Sequence, residues 1–290
     1  MHINLDQDTR VRIGGIIAGE TEDDDVFWAL EAIDGLYDTT LLSETGTMSW
    51  ADGGWAGPAW IGAKNLALKL AVRVPPWEPE KVGQTIARMK QTLPIRDLAP
   101  MAIKTYDGVF ICQVRCVDKI SIEPYRTGAK ITIPLYCPDP VLYAADWDSG
   151  GVAWREWSTG LPARRGGLTF PFRFPFVFGG VEEAGAIEFV VSGSAGARGI
   201  IEITGPAFNI VVQDTQAGWR FAYGQALGEG ETLKVDPYRR LVEVNGASRR
   251  GQFSGDWPEF APGAHRVTWS ATASPDTQPL LKVRIADIYQ

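Results

Sequence analysis

The sequence predicts a mainly β protein whose C-terminal half is an antiparallel β-sandwich. Apolar and polar residues alternate there, for example over 281–285, which gives each strand one buried face. Glycines, prolines and the Asn245-Gly246 pair separate these short segments, and such turns typically join antiparallel strands. Residues 168–290 are therefore expected to form one sandwich, with Trp269 in its core.

The N-terminal half is expected to form a second β-sandwich or split barrel that carries one helix. Strands are predicted within 10–18, 28–42 and 65–74, where apolar side chains again alternate. Over 78–93 the apolar residues are instead spaced by three or four, which indicates an amphipathic helix. Its apolar positions are Val82, Ile86, Met89 and Leu93. A lone helix between strands must lay this apolar side on a sheet.

The length of the chain suits two domains. At 290 residues, each domain can bury a core of its own. We expect one domain over 1–137, a connector over 138–167 and a second domain over 168–290. The connector mixes glycine, proline and aromatic residues without periodicity, which is typical of an ordered linker. Its tryptophans, expected to pack on a domain surface, are Trp147, Trp154 and Trp157.

The charge distribution argues against nucleic acid as a specific partner. The net charge is −7, with 17 basic and 22 acidic residues in 1–167 and 11 basic and 13 acidic residues in 168–290. Neither half has the basic surface that phosphate binding requires. The acidic run ETEDDD at 20–25 lacks the glycine turn of a calcium loop, so we expect a solvated turn. No apolar run reaches the roughly 18 residues of a membrane span.

Cysteine and histidine usage predicts no metal site. The three cysteines are an odd number without CxxC spacing, and Cys112 and Cys116 share one face of a strand predicted over 109–122. We therefore expect them in the core. With His2 and His265 as the only histidines, the chain has few ligands for a metal, and no cofactor is expected.

Catalytic motifs are absent from the sequence. It contains no GxSxG elbow, phosphate-binding loop, HExxH motif or cysteine paired with a histidine. Two carboxylate pairs of the kind that glycosidases use, Glu182-Glu183 and Asp256 with Glu259, both fall at predicted turns. We predict that the chain is not an enzyme.

A tryptophan-rich segment over 45–63 is the strongest candidate for an interaction site. It carries Trp50, Trp55 and Trp60 among several glycines and a proline. The segment is too rich in glycine to predict a stable strand, yet too aromatic for a solvated linker. Two interpretations remain open: a loop folded back on its own domain, or a long loop whose tryptophans anchor a subunit interface.

The order of structural motifs along the chain resembles that of siphophage distal tail proteins. The motifs in the C-terminal half are GLTFPF opening a domain, a TGP turn, GETL-x-VD followed by VNG, and PG before the last two strands. Upstream, DKISIEPYRTGAKITIPLYCPDPVLY is similar to the end of the ring-forming domain of that family. Together these matches cover roughly residues 65–290, and they all concern structural residues.

The resemblance implies a virion protein with a galectin-like C-terminal domain. Such a protein would form a homohexameric ring at the tail tip, between the tail tube protein and a tail-associated hub or baseplate protein. The ring would also scaffold adhesion components such as a receptor-binding protein. Residues 1–137 would form the ring. The N-terminus MHINLDQDTRVRIGG lacks a basic segment followed by an apolar core, so no Sec leader is expected and assembly would occur in the host cytoplasm.

The alternative function is a carbohydrate-binding adhesin module of the tail. Sandwiches of this kind bind glycans through exposed aromatic residues. Alternation places Trp219 and Trp269 in the core, so Trp257, beside Pro258, is the candidate for an exposed aromatic. The HxNxR cluster with which galectins bind sugar is not visible in the sequence.

Overall fold

The chain folds into two compact units. The structure, a computed structural model, describes residues 9–19, 26–161, 185–273 and 277–290. One unit comprises Met1–Ala153 with Tyr289–Gln290, and the other Trp154–Ile288. Both are built from antiparallel strands, which confirms the mainly β class. The division falls inside the predicted connector, and strands of both units occupy that segment. The acidic run 20–25 and the pair Glu182-Glu183 lie outside the described residues.

The first unit contains two larger antiparallel sheets that meet at one corner, and a separate two-stranded hairpin. Its elements are β1 (Arg10–Ile13), β2 (Ile16–Ala18), β3 (Phe27–Asp34), β4 (Leu41–Thr47), β5 (Gly54–Ile61), β6 (Lys64–Arg73), α1 (Lys81–Thr92), β7 (Ala99–Thr105), β8 (Gly108–Cys116), β9 (Ser121–Tyr125), β10 (Gly128–Cys137), β11 (Leu142–Asp146) and β12 (Gly151–Val152). One sheet has the order β2-β1-β7-β8-β11, and β12 pairs with β11. The other has the order β3-β6-β10-β9, and β10 also pairs with β8. This arrangement is consistent with the predicted β-sandwich or split barrel.

The longest pairing of the first unit joins β6 and β10 over ten residues each. The apolar residues of β6 are buried as the alternation predicts. They are Leu66, Leu68, Leu70 and Val72. The segment predicted as one strand over 10–18 is instead a hairpin, because the chain turns at Gly14, whose φ is 55°. A Cβ at Gly14 would collide with the carbonyl oxygen of Thr92, so this turn requires glycine.

The helix α1 covers the core, as predicted, but is shorter than 78–93. Val82 and Met89 are buried, and Ile86 packs partly against the same cluster. Residues 79–80 form a turn before the helix, and Leu93 ends it in an extended conformation. Within the described residues, no helix is long and apolar enough to cross a membrane.

Cys112 and Cys116 lie in the core of the first unit, which confirms their predicted burial. The strand predicted over 109–122 is wrong in extent, because β8 ends at Cys116. Asp118 adopts a φ of 60° just beyond it, and the chain turns there before β9 begins.

The second unit is a sandwich of two antiparallel sheets, as predicted. Its strands are β13 (Arg155–Gly160), β14 (Ala186–Val191), β15 (Ala197–Thr204), β16 (Phe208–Asp214), β17 (Arg220–Tyr223), β18 (Thr232–Asp236), β19 (Leu241–Val244), β20 (Ala247–Ser248), β21 (Phe253–Gly255), β22 (Gly263–Thr272) and β23 (Leu280–Tyr289). One sheet has the order β14-β22-β16-β17-β21; the other contains β13, β23, β15, β18, β19 and β20 in that order.

The local signals of the sandwich are also confirmed. Trp269 is 2% exposed and Trp219 is 5% exposed, so both belong to the core. Asn245 and Gly246 form the two-residue loop between β19 and β20, with φ values of 48° and 81°. Positive φ at both positions is the type I′ geometry that Asn-Gly favours.

Candidate functional site

The tryptophan-rich segment forms a β-hairpin, not the strandless loop that its glycine content predicts. β4 and β5 pair only with each other, from Leu41↔Ile61 to Thr47↔Gly54. The hydrogen bonds from Gly62 N to Thr40 O (2.8 Å) and from Met48 N to Gly53 O (3.1 Å) close its two ends. Glycine composition therefore misleads here, since cross-strand pairing and aromatic packing compensate for low strand propensity.

A β-bulge places two of the three tryptophans on one face of this hairpin. Trp60 pairs with Leu42 and Trp55 pairs with Gly46, while the register shifts between these two pairs. Residues 42 and 46 share a face of β4 because side chains alternate. Residues 55 and 60 are five positions apart, so they would lie on opposite faces of a regular strand. The extra residue of the bulge in β5 places both on the same face. The hairpin thus has an aromatic face formed by Leu42, Trp55 and Trp60.

The three tryptophans are exposed. Trp50, at the tip, is 85% exposed, Trp60 is 60% exposed and Trp55 is 46% exposed. None belongs to the core of the first unit. The interpretation in which this segment folds back to bury its tryptophans in its own domain is therefore wrong. Their part in a subunit interface stays a prediction.

The β4–β5 hairpin has the properties of a docking element. An isolated two-stranded hairpin is marginally stable in water, and both of its outer edges present unpaired backbone groups. Leu41 and Leu42, near its base, are 68% and 55% exposed. Exposed apolar patches on folded domains often mark interaction sites, so these exposed leucines and tryptophans make the hairpin a candidate for one.

Two further edges of the first unit are open within the described residues. β3 pairs with β6 on one side, and β9 pairs with β10 on one side. The four-stranded sheet β3-β6-β10-β9 therefore ends in two different edge strands, although in β3 the carbonyl oxygen of Trp28 accepts a hydrogen bond from Gly19 N at 2.6 Å. Such edges can accept a strand from another chain.

The outward face of this four-stranded sheet carries paired charges. Lys69 Nζ lies 2.7 Å from Asp34 Oδ2, and Lys130 Nζ lies 3.4 Å from Glu31 Oε1. Lys130 also stands opposite Glu123 in the register of β10 and β9. Because each lysine is next to a carboxylate, the face has no excess of positive charge for phosphate groups.

Trp257 is not the exposed aromatic that the sequence predicts. It is half-buried and stacks on Phe253 with 4.5 Å between ring centroids. The guanidinium of Arg250 lies 4.6 Å from the Trp257 ring centroid. The chain's own side chains therefore already contact the ring, because Trp257 packs against the sandwich core.

A buried histidine and aspartate in the second unit have a structural role. His265 Nδ1 lies 2.6 Å from Asp214 Oδ2, and His265 Nε2 lies 2.8 Å from the carbonyl oxygen of Ala261. Asp214 also accepts hydrogen bonds from the backbone N–H groups of Gln216 and Ala217. Every strong hydrogen-bonding group of the pair is thus satisfied within the chain. The arrangement joins β16, its following turn and β22.

No metal-binding cluster is found in the described part of the chain. No three side chains of histidine, cysteine, aspartate or glutamate cluster there as metal ligands would. In the predicted carboxylate pair of Asp256 and Glu259, the side chain of Asp256 accepts a hydrogen bond from Arg220 N, whereas in Glu259 the backbone oxygen accepts one, from Trp219 Nε1.

The comparison with solved structures identifies the fold. The Dit protein of phage SPP1 is similar to 97% of this chain, and the match covers 99% of the Dit chain, with a TM-score of 0.65 and 12% sequence identity. That protein is described as a paradigm of the hub adsorption apparatus in phages that infect Gram-positive bacteria. The chain has the fold of SPP1 Dit. Two structures of the phage P2 baseplate in its activated conformation also match, each at 9% sequence identity over 95% of this chain and 97% of the other chain. The TM-score is 0.41 for the structure with Ca and 0.40 for the structure with Sr. No protein-family model and no curated protein matches.

The Dit-like fold confirms the resemblance to siphophage distal tail proteins at the level of structure. The GETL-x-VD motif leads into β18, and VNG spans the end of β19 and the turn after it. The GLTFPF motif lies outside the described residues. The galectin-like character of the second unit stays a prediction.

Proposed function

We propose that the chain is a distal tail protein of a siphophage, a virion structural protein that forms a ring, hexameric by resemblance, between the tail tube and the tail tip or baseplate. The observation that supports this is the likeness to SPP1 Dit, which extends over 97% of this chain and so includes both compact units. A single sandwich could resemble many unrelated proteins, since folds are shared between functions. A likeness that includes two different units in the same order along the chain is shared by far fewer proteins than a likeness to one sandwich.

The first unit provides surfaces that suit ring closure. A closed ring requires two different complementary surfaces on each subunit. The aromatic face of the hairpin, formed by Leu42, Trp55 and Trp60, is one candidate. The open edges of β3 and β9 are the others. In this proposal the N-terminal domain, predicted over 1–137, forms the ring and the C-terminal sandwich projects from it.

The function is mechanical and requires no catalytic group or cofactor. One face of the ring binds the tail tube protein, and the other binds the tail-associated hub or tip protein. The sandwiches scaffold adhesion components such as a receptor-binding protein. DNA passes through the lumen without specific binding, in keeping with a net charge of −7. The ring is assembled in the host cytoplasm and remains at the tail tip of the virion.

The experiment that tests the proposal measures self-association of the purified full chain. We expect native mass spectrometry to give a hexamer and negative-stain images to give closed rings. The double variant Trp55→Ser/Trp60→Ser should dissociate, because tryptophan anchors contribute most to such interfaces. Trp77→Ser is the matched control, since Trp77 is 75% exposed but lies outside the hairpin. A monomer at all concentrations, or equal loss in both variants, would contradict the proposed interface.

The alternative, a carbohydrate-binding adhesin, is tested with a glycan array and a cell-wall binding assay. Phe253 and Arg250 already contact the Trp257 ring, which disfavours sugar stacking there. We expect no binding of glycan or peptidoglycan. Binding in the micromolar range would favour the adhesin over the ring protein.

A further inference from the structure

Most basic side chains in the described part of the second unit lie beside a carboxylate. Ion pairs account for Arg155, Arg198, Arg266, Lys282 and Arg284. Lys234 stands opposite Glu202 and Glu243 across the sheet, and Asp256 lies next to Arg220. Four arginines differ, because they are exposed and form no ion pair among the described residues: Arg239, Arg240, Arg249 and Arg250. The near-balance of charge over 168–290 conceals this group.

The fold brings these four arginines to the same end of one sheet. Arg239 and Arg240 lie in the turn that joins β18 to β19. Arg249 follows β20, and its N–H donates to the carbonyl oxygen of Val242, near the start of β19, at 2.7 Å. Arg250 comes next and begins a short helical turn that lies beside β19. Since strands are about 5 Å apart and residues about 3.3 Å apart along a strand, the backbones of Arg240 and Arg249 are roughly 8–10 Å apart. We call the four residues the arginine surface.

The backbone of Arg240 adopts a conformation that is unusual for arginine. Its φ is 52°, in the left-handed region that glycine and asparagine favour. Its N–H donates to the carbonyl oxygen of Pro237 at 3.2 Å, and a glycine could make the same bond. The turn itself therefore does not call for an arginine. Backbone strain of this kind is concentrated at binding sites, which indicates that the guanidinium of Arg240 has a partner outside the chain.

Aromatic rings position another guanidinium of the arginine surface. The Arg250 group lies 4.6 Å from the ring centroid of Trp257 and 5.2 Å from that of Phe253. Stacking restrains the plane of a guanidinium and leaves its N–H edges for a planar acceptor. Tyr238 and Leu241, which are 54% and 40% exposed, add apolar area beside the arginines. Arginine and tyrosine are both enriched in protein interfaces.

We propose that the arginine surface binds an acidic segment of a partner protein. Carboxylates match the guanidinium fork with two parallel hydrogen bonds, and a protein segment also supplies apolar side chains for Tyr238 and Leu241. Nucleic acid and other phosphate polymers fit less well, because a chain with a net charge of −7 repels a dense polyanion. The four charges also form one compact group, whereas a polyanion backbone is followed by a longer basic track. This inference concerns the second unit alone and does not depend on the proposed function.

The experiment measures binding of a labelled peptide to the purified full chain by fluorescence anisotropy. The probe repeats the sequence Glu-Leu-Glu-Ser three times, and its control has glutamine in place of every glutamate. We expect the acidic peptide to bind, with an affinity that falls as salt is added, because exposed charges are screened. The glutamine peptide should not bind. Equal binding of the two peptides, or binding of polyphosphate or duplex DNA without binding of the acidic peptide, would overturn the proposal.

Variants test the arginine surface without disturbing the fold. Arg240→Gly removes a guanidinium at a position that favours glycine, so binding should weaken roughly three- to tenfold while the unfolding midpoint does not fall. Arg249→Gln should weaken binding to a similar extent. Arg266→Gln is the matched control, because it changes the net charge equally but Arg266 pairs with Glu188 at 3.3 Å on the other sheet. Unchanged affinity in Arg240→Gly and Arg249→Gln, or an equal loss in the control, would contradict the assignment of the site.

Discussion

The indole of Trp55 lies over Gly46, its partner across the β4–β5 hairpin. A Cβ added at Gly46 would be 2.5 Å from Nε1 of Trp55, and one added at Gly57 would be 3.4 Å from its Cζ3. The ring therefore occupies space that a side chain at residue 46 would need. The glycines that lower the strand propensity of this segment are the residues that let its aromatic face form.

The first prediction follows from this packing. Gly46→Val should displace the Trp55 ring and weaken self-association of the full chain by about tenfold or more. The unfolding midpoint of the dissociated chain should not change, because no residue of the hairpin belongs to a core. Concentration-dependent light scattering measures the association. Gly83→Ala in α1 is the control, since its added Cβ meets nothing within 4 Å. Equal association in both variants would contradict the prediction.

The second prediction contrasts two tryptophans of the sandwich. Trp269 is 2% exposed, and its Nε1 donates to the carbonyl oxygen of Gly160 at 3.3 Å. Trp269→Ala should cost about 3–5 kcal/mol of the free energy of unfolding. Trp257→Ala should cost about 1–2 kcal/mol, because Trp257 is half-buried and packs at the margin of the core. Urea unfolding measures the free energy of unfolding of both variants. Equal losses would show that the two tryptophans do not differ in burial as described.

Local alternation predicted the cores well, because it reports which residues share a face. The segment 281–285 is buried at its apolar positions, and the Asn245-Gly246 turn has the geometry that its residues favour. The same reasoning failed over 10–18, where a tight turn at Gly14 interrupts the alternation. Single-strand patterns do not reveal where a strand folds back on itself.

Long-range relationships were not predictable from the sequence. The aromatic face of the hairpin depends on a bulge that changes which residues share a side, and only the pairing of β4 with β5 reveals it. His265 and Asp214 are 51 residues apart, and nothing near either residue indicates the other. Alternation assigns a residue to a face but not to a neighbour.

The third prediction concerns acid stability of the second unit. Burial alone would raise the pKa of Asp214, but the hydrogen bonds from Ala217, His265 and Gln216 outweigh it, so the pKa is lowered from its ordinary value. A carboxyl whose folded-state pKa lies below its unfolded value stabilises the fold at higher pH. This contribution is complete above the unfolded pKa and is lost as the pH falls through the folded one.

Asp214→Asn should therefore cost about 3–5 kcal/mol near neutral pH and make unfolding less dependent on pH in the acid range. Urea unfolding at a series of decreasing pH values measures both effects. Asp256→Asn is the control, because Asp256 is exposed and the hydrogen bond that it accepts from Arg220 N is long, at 3.4 Å. A variant with the acid dependence of the natural chain would show that Asp214 does not cause it.

The last prediction concerns where the second unit begins. β13 pairs with β23 over six residues, from Arg155↔Ile285 to Gly160↔Leu280. Arg155 Nη2 lies 2.8 Å from both carboxylate oxygens of Asp287. Trp157 stacks on Phe189 with 5.0 Å between ring centroids. β13 is therefore part of the sandwich, although it lies before residue 168.

A fragment over 154–290 should consequently fold cooperatively, whereas one over 168–290 should be less stable by about 3 kcal/mol or more. The shorter fragment loses the strand that covers one edge of β23, leaves Asp287 without its arginine and removes the acceptor of the Trp269 indole. Urea unfolding followed by far-ultraviolet circular dichroism compares the two fragments. Equal unfolding midpoints for the two fragments would contradict the assignment of β13 to the sandwich, because the sandwich would then be complete without this strand.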